Sequence, residues 1–107
     1  MKVFIPNKGG HDYSDAERFG ELVYITSGAI SKFSVGTMAR EWARFMAEAT
    51  EEDSILLSSL TTLCTIGCAL YARKFGFINI LLYRNGKYIR RKIVLDELLN
   101  YEKGVLN

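Results

Sequence analysis

Proline occurs once, histidine once and cysteine twice in this chain of 107 residues. The two cysteines, Cys64 and Cys68, lie four apart in an apolar stretch, unlike the scattered loop cysteines of a secreted disulfide scaffold, and fit a reducing compartment. With His11 the single histidine and no C-x-x-C pair, a metal centre lacks ligands, so neither a metal nor a resident cofactor is expected. The phosphate-binding loop G-x-x-x-x-G-K-[ST] is absent and no G-x-G-x-x-G follows a strand. Ser58 and Ser59 lack the G-x-S-x-G setting of a serine nucleophile. Charge of one sign is missing as well: fourteen Lys and Arg against twelve Asp and Glu leave +2, a balance that by itself points to neither nucleic acid nor a membrane.

The uncharged run from Ser54 to Ala72 is long enough for a membrane span, but Ser58, Ser59, Thr61 and Thr62 would place four hydroxyls near the bilayer centre. A buried strand, a polar turn and a helix explain both halves, and no membrane partner is expected. Met1 to Ile5 runs straight into strand-like residues without a basic and apolar leader, which predicts a cytoplasmic location. The hydrophobic share of 49% and charged share of 24% suffice for a core, and the length suits a single domain over residues 1–107.

Val3 to Ile5 is an apolar strand that Pro6 should stop, ahead of the turn formers Asn7, Lys8, Gly9 and Gly10. Ser14 with Glu17 three residues later is a capping-box pattern, predicting a short helix to Phe19 that ends at Gly20. Leu22 to Thr26 reads as a second strand. Met38, Trp42, Phe45, Met46 and Ala49 recur at helical spacing while Arg40, Glu41, Arg44 and Glu48 fall on other faces, so an amphipathic helix is predicted, capped by Ser34 or Thr37. Ile55 to Leu57 is a strand of the buried type. Beyond the Ser58–Thr62 loop a helix apolar nearly all round should run to Phe75 and stop at Gly76. Its small residues Cys64, Gly67, Cys68 and Ala69 predict close approach to a sheet. Its lack of charge before Arg73 predicts cover by a subunit interface, hence a homodimer. Ile78 to Tyr83, the Asn85-Gly86 turn and Lys87 to Val94 form a hairpin whose cations protect an exposed edge. Asp96 is placed to cap a short closing helix through Leu99 to Tyr101.

Strands alternating with helices and ending in a hairpin predict an α/β fold. The specific expectation is a three-layer Rossmann-like sandwich with a mostly parallel sheet of about five strands and a C-terminal antiparallel edge hairpin. With the order 2-1-3-4 and the hairpin strand outside, chain direction reverses between the first and third strands. Ligands in such sheets bind beyond the strand carboxyl ends at that point. Three polar loops fall there: Asn7 to Asp12; Thr26-Ser27-Gly28 with Ser31 and Lys32; and Ser58 to Thr62. Hydroxyls, unobstructed backbone amides and two lysines suit a phosphate, a ribose or another polar nucleotide part, although caps and turns use the same residue types. The expected ligand residues are Asn7, Lys8, Gly9, Gly10, His11, Thr26, Ser27, Ser58, Ser59 and Thr61. His11 beside Asp12 is the candidate acid–base pair, though sequence neighbours seldom point the same way. Arg84, Lys87, Arg90, Arg91 and Lys92, interleaved with Tyr83 and Tyr88, make an acid-free stretch suited to RNA or single-stranded DNA; edge protection explains the same charges.

The segments IPNKGGHDYSDAERFG, ILLSSLTTL and LLYRNGKY together resemble small uncharacterised proteins of tailed bacteriophages, over most of the chain. That resemblance implies an intracellular product of an infecting phage, in a class that binds host machinery or nucleotide signals. Ile55 to Tyr83 is similar to nucleotide-binding Rossmannoid domains, an analogy of fold. The leading expectation is non-catalytic binding of a nucleotide-like or phosphorylated small ligand at the strand carboxyl ends. Two other classes compete: a protein-interaction or structural component that meets a second copy or a host protein through the Cys64–Tyr71 helix, and a nucleotide-processing enzyme using His11 or Asp12.

Overall fold

A computed structural model of the chain describes residues 1–31, 33–58 and 60–106. The elements run β1 (Lys2–Lys8), a 3-10 helix (Ser14–Phe19), β2 (Glu21–Ser27), α1 (Val35–Met46), β3 (Ser54–Leu56), α2 (Thr61–Phe75), β4 (Phe77–Arg84), β5 (Lys87–Val94) and α3 (Leu95–Leu106). The strands form one mixed sheet in the order β2-β1-β3-β4-β5, parallel except for the β4–β5 pair. This is the expected α/β class with its antiparallel edge, and the order puts the reversal of chain direction between β1 and β3.

Pro6 does not stop β1. Register with β2 skips Pro6 and resumes at Asn7↔Thr26 and Lys8↔Ser27, while Thr26 Oγ1 lies 2.8 Å from the Pro6 carbonyl. A proline is tolerated where no ladder bond is asked of it, and pairing with β3 covers only Val3 and Phe4. The strand therefore carries its alternation of faces three residues further than expected, to Lys8.

That alternation divides the core. Phe4 faces α1 and α2 together with Ile25, Met38, Trp42, Ile55, Leu63 and Tyr71. Val3 and Ile5 face the 3-10 helix together with Tyr13, Ala16, Leu56, Leu81 and Tyr88. One face thus carries two full helices and the other a single short one. Trp42, Phe4 and Tyr71 are the largest side chains on the helical face, almost wholly buried. Each contributes roughly 2–3 kcal/mol by burial, more than the ~1 kcal/mol of the Trp42 Nε1–H bond to the Leu63 carbonyl (2.8 Å).

Of the small residues of α2, Gly67 serves an approach to α1 rather than to the sheet. A Cβ on Gly67 would lie 2.4 Å from Trp42 Cζ2, so the glycine admits the indole of α1. Its apolar character is accounted for by this packing and by the sheet beneath, and the side it turns outward bears Thr61, Thr62, Thr65 and Ala69. Gly76 ends α2 as predicted, at φ 81° with its N–H on the Ala72 carbonyl (2.7 Å). The capping box at Ser14 does not form: Tyr13 is the N-cap, and Asp12 Oδ1 accepts the Ser14 N–H at 2.9 Å instead.

A polar cluster ties the α1–β3 connection to α2. Asp53 accepts the backbone N–H of Lys2 and of Thr50 at 2.8 Å each. Tyr71 Oη lies within 2.9 Å of the Thr50 and Asp53 carbonyls, and burial pushes its hydroxyl up to about 12. Lys74 Nζ donates to the Met46 and Ala49 carbonyls at the end of α1, the favourable end of a helix for a cation. The closing helix α3 runs well past Tyr101 and leaves Leu98, Leu99 and Tyr101 exposed. Among the described residues no helix is long and apolar enough to cross a membrane.

Candidate functional site

A cleft of about 610 Å³ opens at the carboxyl ends of β1 and β3, where the sheet's chain direction reverses. Leu56, Leu57 and Leu60 line its apolar part, Asn7, Gly9, His11, Asp12 and Ser58 its polar part, and Tyr13, Tyr83 and Tyr88 an aromatic wall.

The aromatic wall follows from the hairpin. A two-residue turn, with Asn85 at φ 49° and Gly86 at φ 85°, sets Tyr83 opposite Tyr88. Their rings meet edge to face, 5.3 Å between centroids. Tyr83 is 65% exposed whereas Tyr88 is buried, so the pair offers one anchored ring and one open ring. The 3-10 helix fixes the anchored one through its backbone: Asp15 Oδ2 accepts the Tyr88 N–H at 2.7 Å, and the Arg18 guanidinium donates to the Tyr88 carbonyl. Asp15 and Arg18 pair with each other at 3.3 Å. The Tyr88 N–H beside Asp15, then Arg18, holds that carboxyl below the ordinary 3.8. Tyr13 lies 6.0 Å from the His11 ring. Burial raises the Tyr13 and Tyr88 hydroxyls above 10, so both stay protonated donors at neutral pH.

Of the residues expected at the site, Asn7, Gly9, His11 and Ser58 line this cleft together with Asp12. Lys8, Thr26 and Ser27 do not; they line a separate, more open hollow with Ile30, Thr37 and Glu41. Because β1 continues to Lys8, Asn7 and Lys8 point to opposite sides, and Lys8 Nζ sits 5.4 Å from the Tyr24 ring. Gly10 and Thr61 are exposed outside both, and Ser59 and Lys32 lie outside the described residues. Of the two lysines expected at one phosphate site, Lys8 thus stands apart from the cleft. Asn7 has a structural task too, donating to the Gly28 carbonyl at 3.1 Å and receiving Thr26 Oγ1 at 2.8 Å.

The acid–base pair is not assembled. Among the described residues no hydrogen bond joins His11 to Asp12, and the Ser14 backbone N–H, then its hydroxyl, holds Asp12 below the ordinary 3.8. The cleft offers rings, an apolar floor and the start of α2. There the N-cap Leu60 brings no side-chain cap among the described residues, and the first N–H groups of a helix are the ones that suit an anion. Ser58 closes that corner: its Oγ accepts the Leu60 N–H at 3.4 Å, and Cys64 Sγ lies 3.7 Å from its carbonyl. Among the described residues no three His, Cys, Asp or Glu side chains cluster as a metal site would need.

Sequence reasoning missed the aromatic wall as part of this site. Tyr83 and Tyr88 had a readable signal, because a two-residue turn at Asn85-Gly86 pairs residues symmetrically about it. Tyr13 had none, since its place depends on where the 3-10 helix docks.

No curated protein matches the chain, and no solved structure does. A family model described as Phage Pam3 gp32-like protein matches residues 1–96, nearly the whole chain. That match confirms the resemblance to small phage proteins, and the chain belongs to the Phage Pam3 gp32-like protein family.

Proposed function

We propose that this phage protein binds a nucleotide-like ligand, without turning it over, in the cleft between β1 and β3. The observation that carries the reading is the place and lining of that cleft: a reversal point of the sheet, walled by Tyr13, Tyr83 and Tyr88 and bordered by Leu60, the N-cap of α2. Rings and leucines suit a base, and the first N–H groups of a helix suit a phosphate or another anionic part. Reading the sheet as a Rossmann-like sandwich thinned on one face supports the same ligand class by analogy. Binding without chemistry fits an Asp12 engaged by Ser14 and a His11 that, among the described residues, has no carboxylate to orient it. The setting we propose is the cytoplasm of the infected cell.

Titration calorimetry with nucleosides and with mono-, di- and cyclic nucleotides tests this. A saturable heat is expected with at least one of them. Tyr83→Ala should weaken it at least about fivefold, the effect of losing one stacked base. Silence from every compound overturns the reading, and conversion of a bound nucleotide on incubation overturns its non-catalytic part.

A second reading, an interaction component working through an oligomeric interface such as a homodimer's or through a host protein, is favoured by α3. Leu98 is 48% and Tyr101 74% exposed there, an unusual display of apolar side chains along one helix.

A further inference from the structure

Tyr88 lines both the cleft and a second hollow of about 590 Å³, which lies along the hairpin and is lined by Arg18, Arg84, Lys87 and Arg90 with no acidic residue. We infer that the ligand of this site is the end of a single-stranded nucleic acid, its terminal base on the tyrosines and its backbone phosphates along the cationic hairpin. This rests on the cleft being a nucleotide site and names what the rest of the ligand is.

Three observations carry it. First, the charge is segregated: residues 84–92 hold five Lys and Arg and no acid, so the remaining nine cations stand against all twelve acids. Among the described residues none of the five meets a carboxylate within ion-pair distance. Arg90 and Arg91 reach only the backbone carbonyls of Glu52 and Arg90, which leaves their charges uncompensated. A row of this kind attracts phosphates and releases their counterions.

Second, edge protection does not explain the tip. Arg84 and Lys87 face each other across the turn, and in a two-residue hairpin that pair bonds to itself, leaving no open backbone group to guard. The outward groups of the next residue, Tyr88, are already taken by Asp15 and Arg18. The cations at Arg84 and Lys87 therefore serve something other than the strand's edge.

Third, Tyr83 presents an open ring next to the anchored Tyr88, the residue that the cleft and the cationic hollow share. Stacking on an open ring needs a base free of its own duplex, which selects single strands over double. A mononucleotide would use the cleft and leave the cationic row idle.

Fluorescence anisotropy with end-labelled single-stranded RNA and DNA of about twelve nucleotides tests the inference on the full chain, with the matching duplex and polyglutamate as controls. Single strands should bind about tenfold tighter than either control. Their log affinity should fall against log salt with a slope of roughly −3 for about four neutralised phosphates. Replacing two exposed cations, Arg84→Ser with Lys87→Ser, should flatten that slope by about 1.4 and leave mononucleotide binding within about twofold. Duplex or polyglutamate binding as tightly as the single strands overturns the inference as mere polyanion adsorption. A protein that binds a mononucleotide but no oligonucleotide more tightly overturns it while the cleft reading stands. If nothing binds, both fall.

Discussion

Gly67 is the residue on which the packing of the two long helices turns. An added Cβ would meet three atoms of the Trp42 ring at 2.4 to 2.6 Å, and the indole cannot yield, being fully buried with its Nε1–H on Leu63. Gly67→Ala gains helix propensity of up to about 1 kcal/mol but loses more by overpacking. A net loss of about 2 kcal/mol or more is expected in urea unfolding, and a variant as stable as the parent would show that α1 and α2 have room to spare. The sequence marks Gly67 as a place of close approach, through the small residues around it. It does not say to what, because the periodicity of a helix identifies a buried stripe and Trp42 lies twenty-five residues away on another one. Asn7 and Lys8 show the same limit at the next strand end. Treated as one loop they form one phosphate site; as the last two residues of a strand that passes through Pro6, they part to opposite sides.

At the scale of elements, the 3-10 helix clamps the edge strand through Asp15 and Arg18. The Asp15 carboxyl sits below its ordinary 3.8 because it accepts the Tyr88 N–H and pairs with Arg18. A depressed carboxyl contributes stability that is complete above the unfolded value near 3.8 and is lost as pH falls through the lower folded value. Thermal melts of the parent chain should therefore drop on acidification below about pH 4, and Asp15→Ala should melt lower at neutral pH and decline less steeply over the acid range. Parallel curves for the two proteins would place the acid sensitivity elsewhere, at Asp12 first. The hairpin itself was legible, its turn and return strand included and β4 to within one residue at each end, because Asn-Gly and the flanking apolar residues are local signals. The clamp was not: Asp15 and Tyr88 are seventy-three residues apart, and the Ser14–Glu17 pattern suggested a cap that the 3-10 geometry does not make.

For the molecule as a whole, α3 stands apart from the five-stranded body. The family match ends at residue 96, and the helix beyond it keeps Leu98, Leu99 and Tyr101 exposed. A chain ending at Asp96 should melt within about 4 °C of the parent, the shift of roughly 1 kcal/mol at this size. Any dimer seen by sedimentation should be lost with it. A truncated chain that fails to fold would show that α3 belongs to the core, and a dimer that survives would move the interface to another face. The α/β class and the edge hairpin were readable from the order of strand and helix signals. The thin cover on one face was not, because a 3-10 helix and an α-helix share the same short polar pattern. Tyr88 joins the two halves of the site: its backbone belongs to the clamp and its ring to the cleft. Should the clamp tighten a ligand held in the cleft, that ligand must favour the clamped hairpin by the same factor. A spectroscopic label at Asn85, on the outer turn of the hairpin, would then report occupancy of a cleft that it does not line.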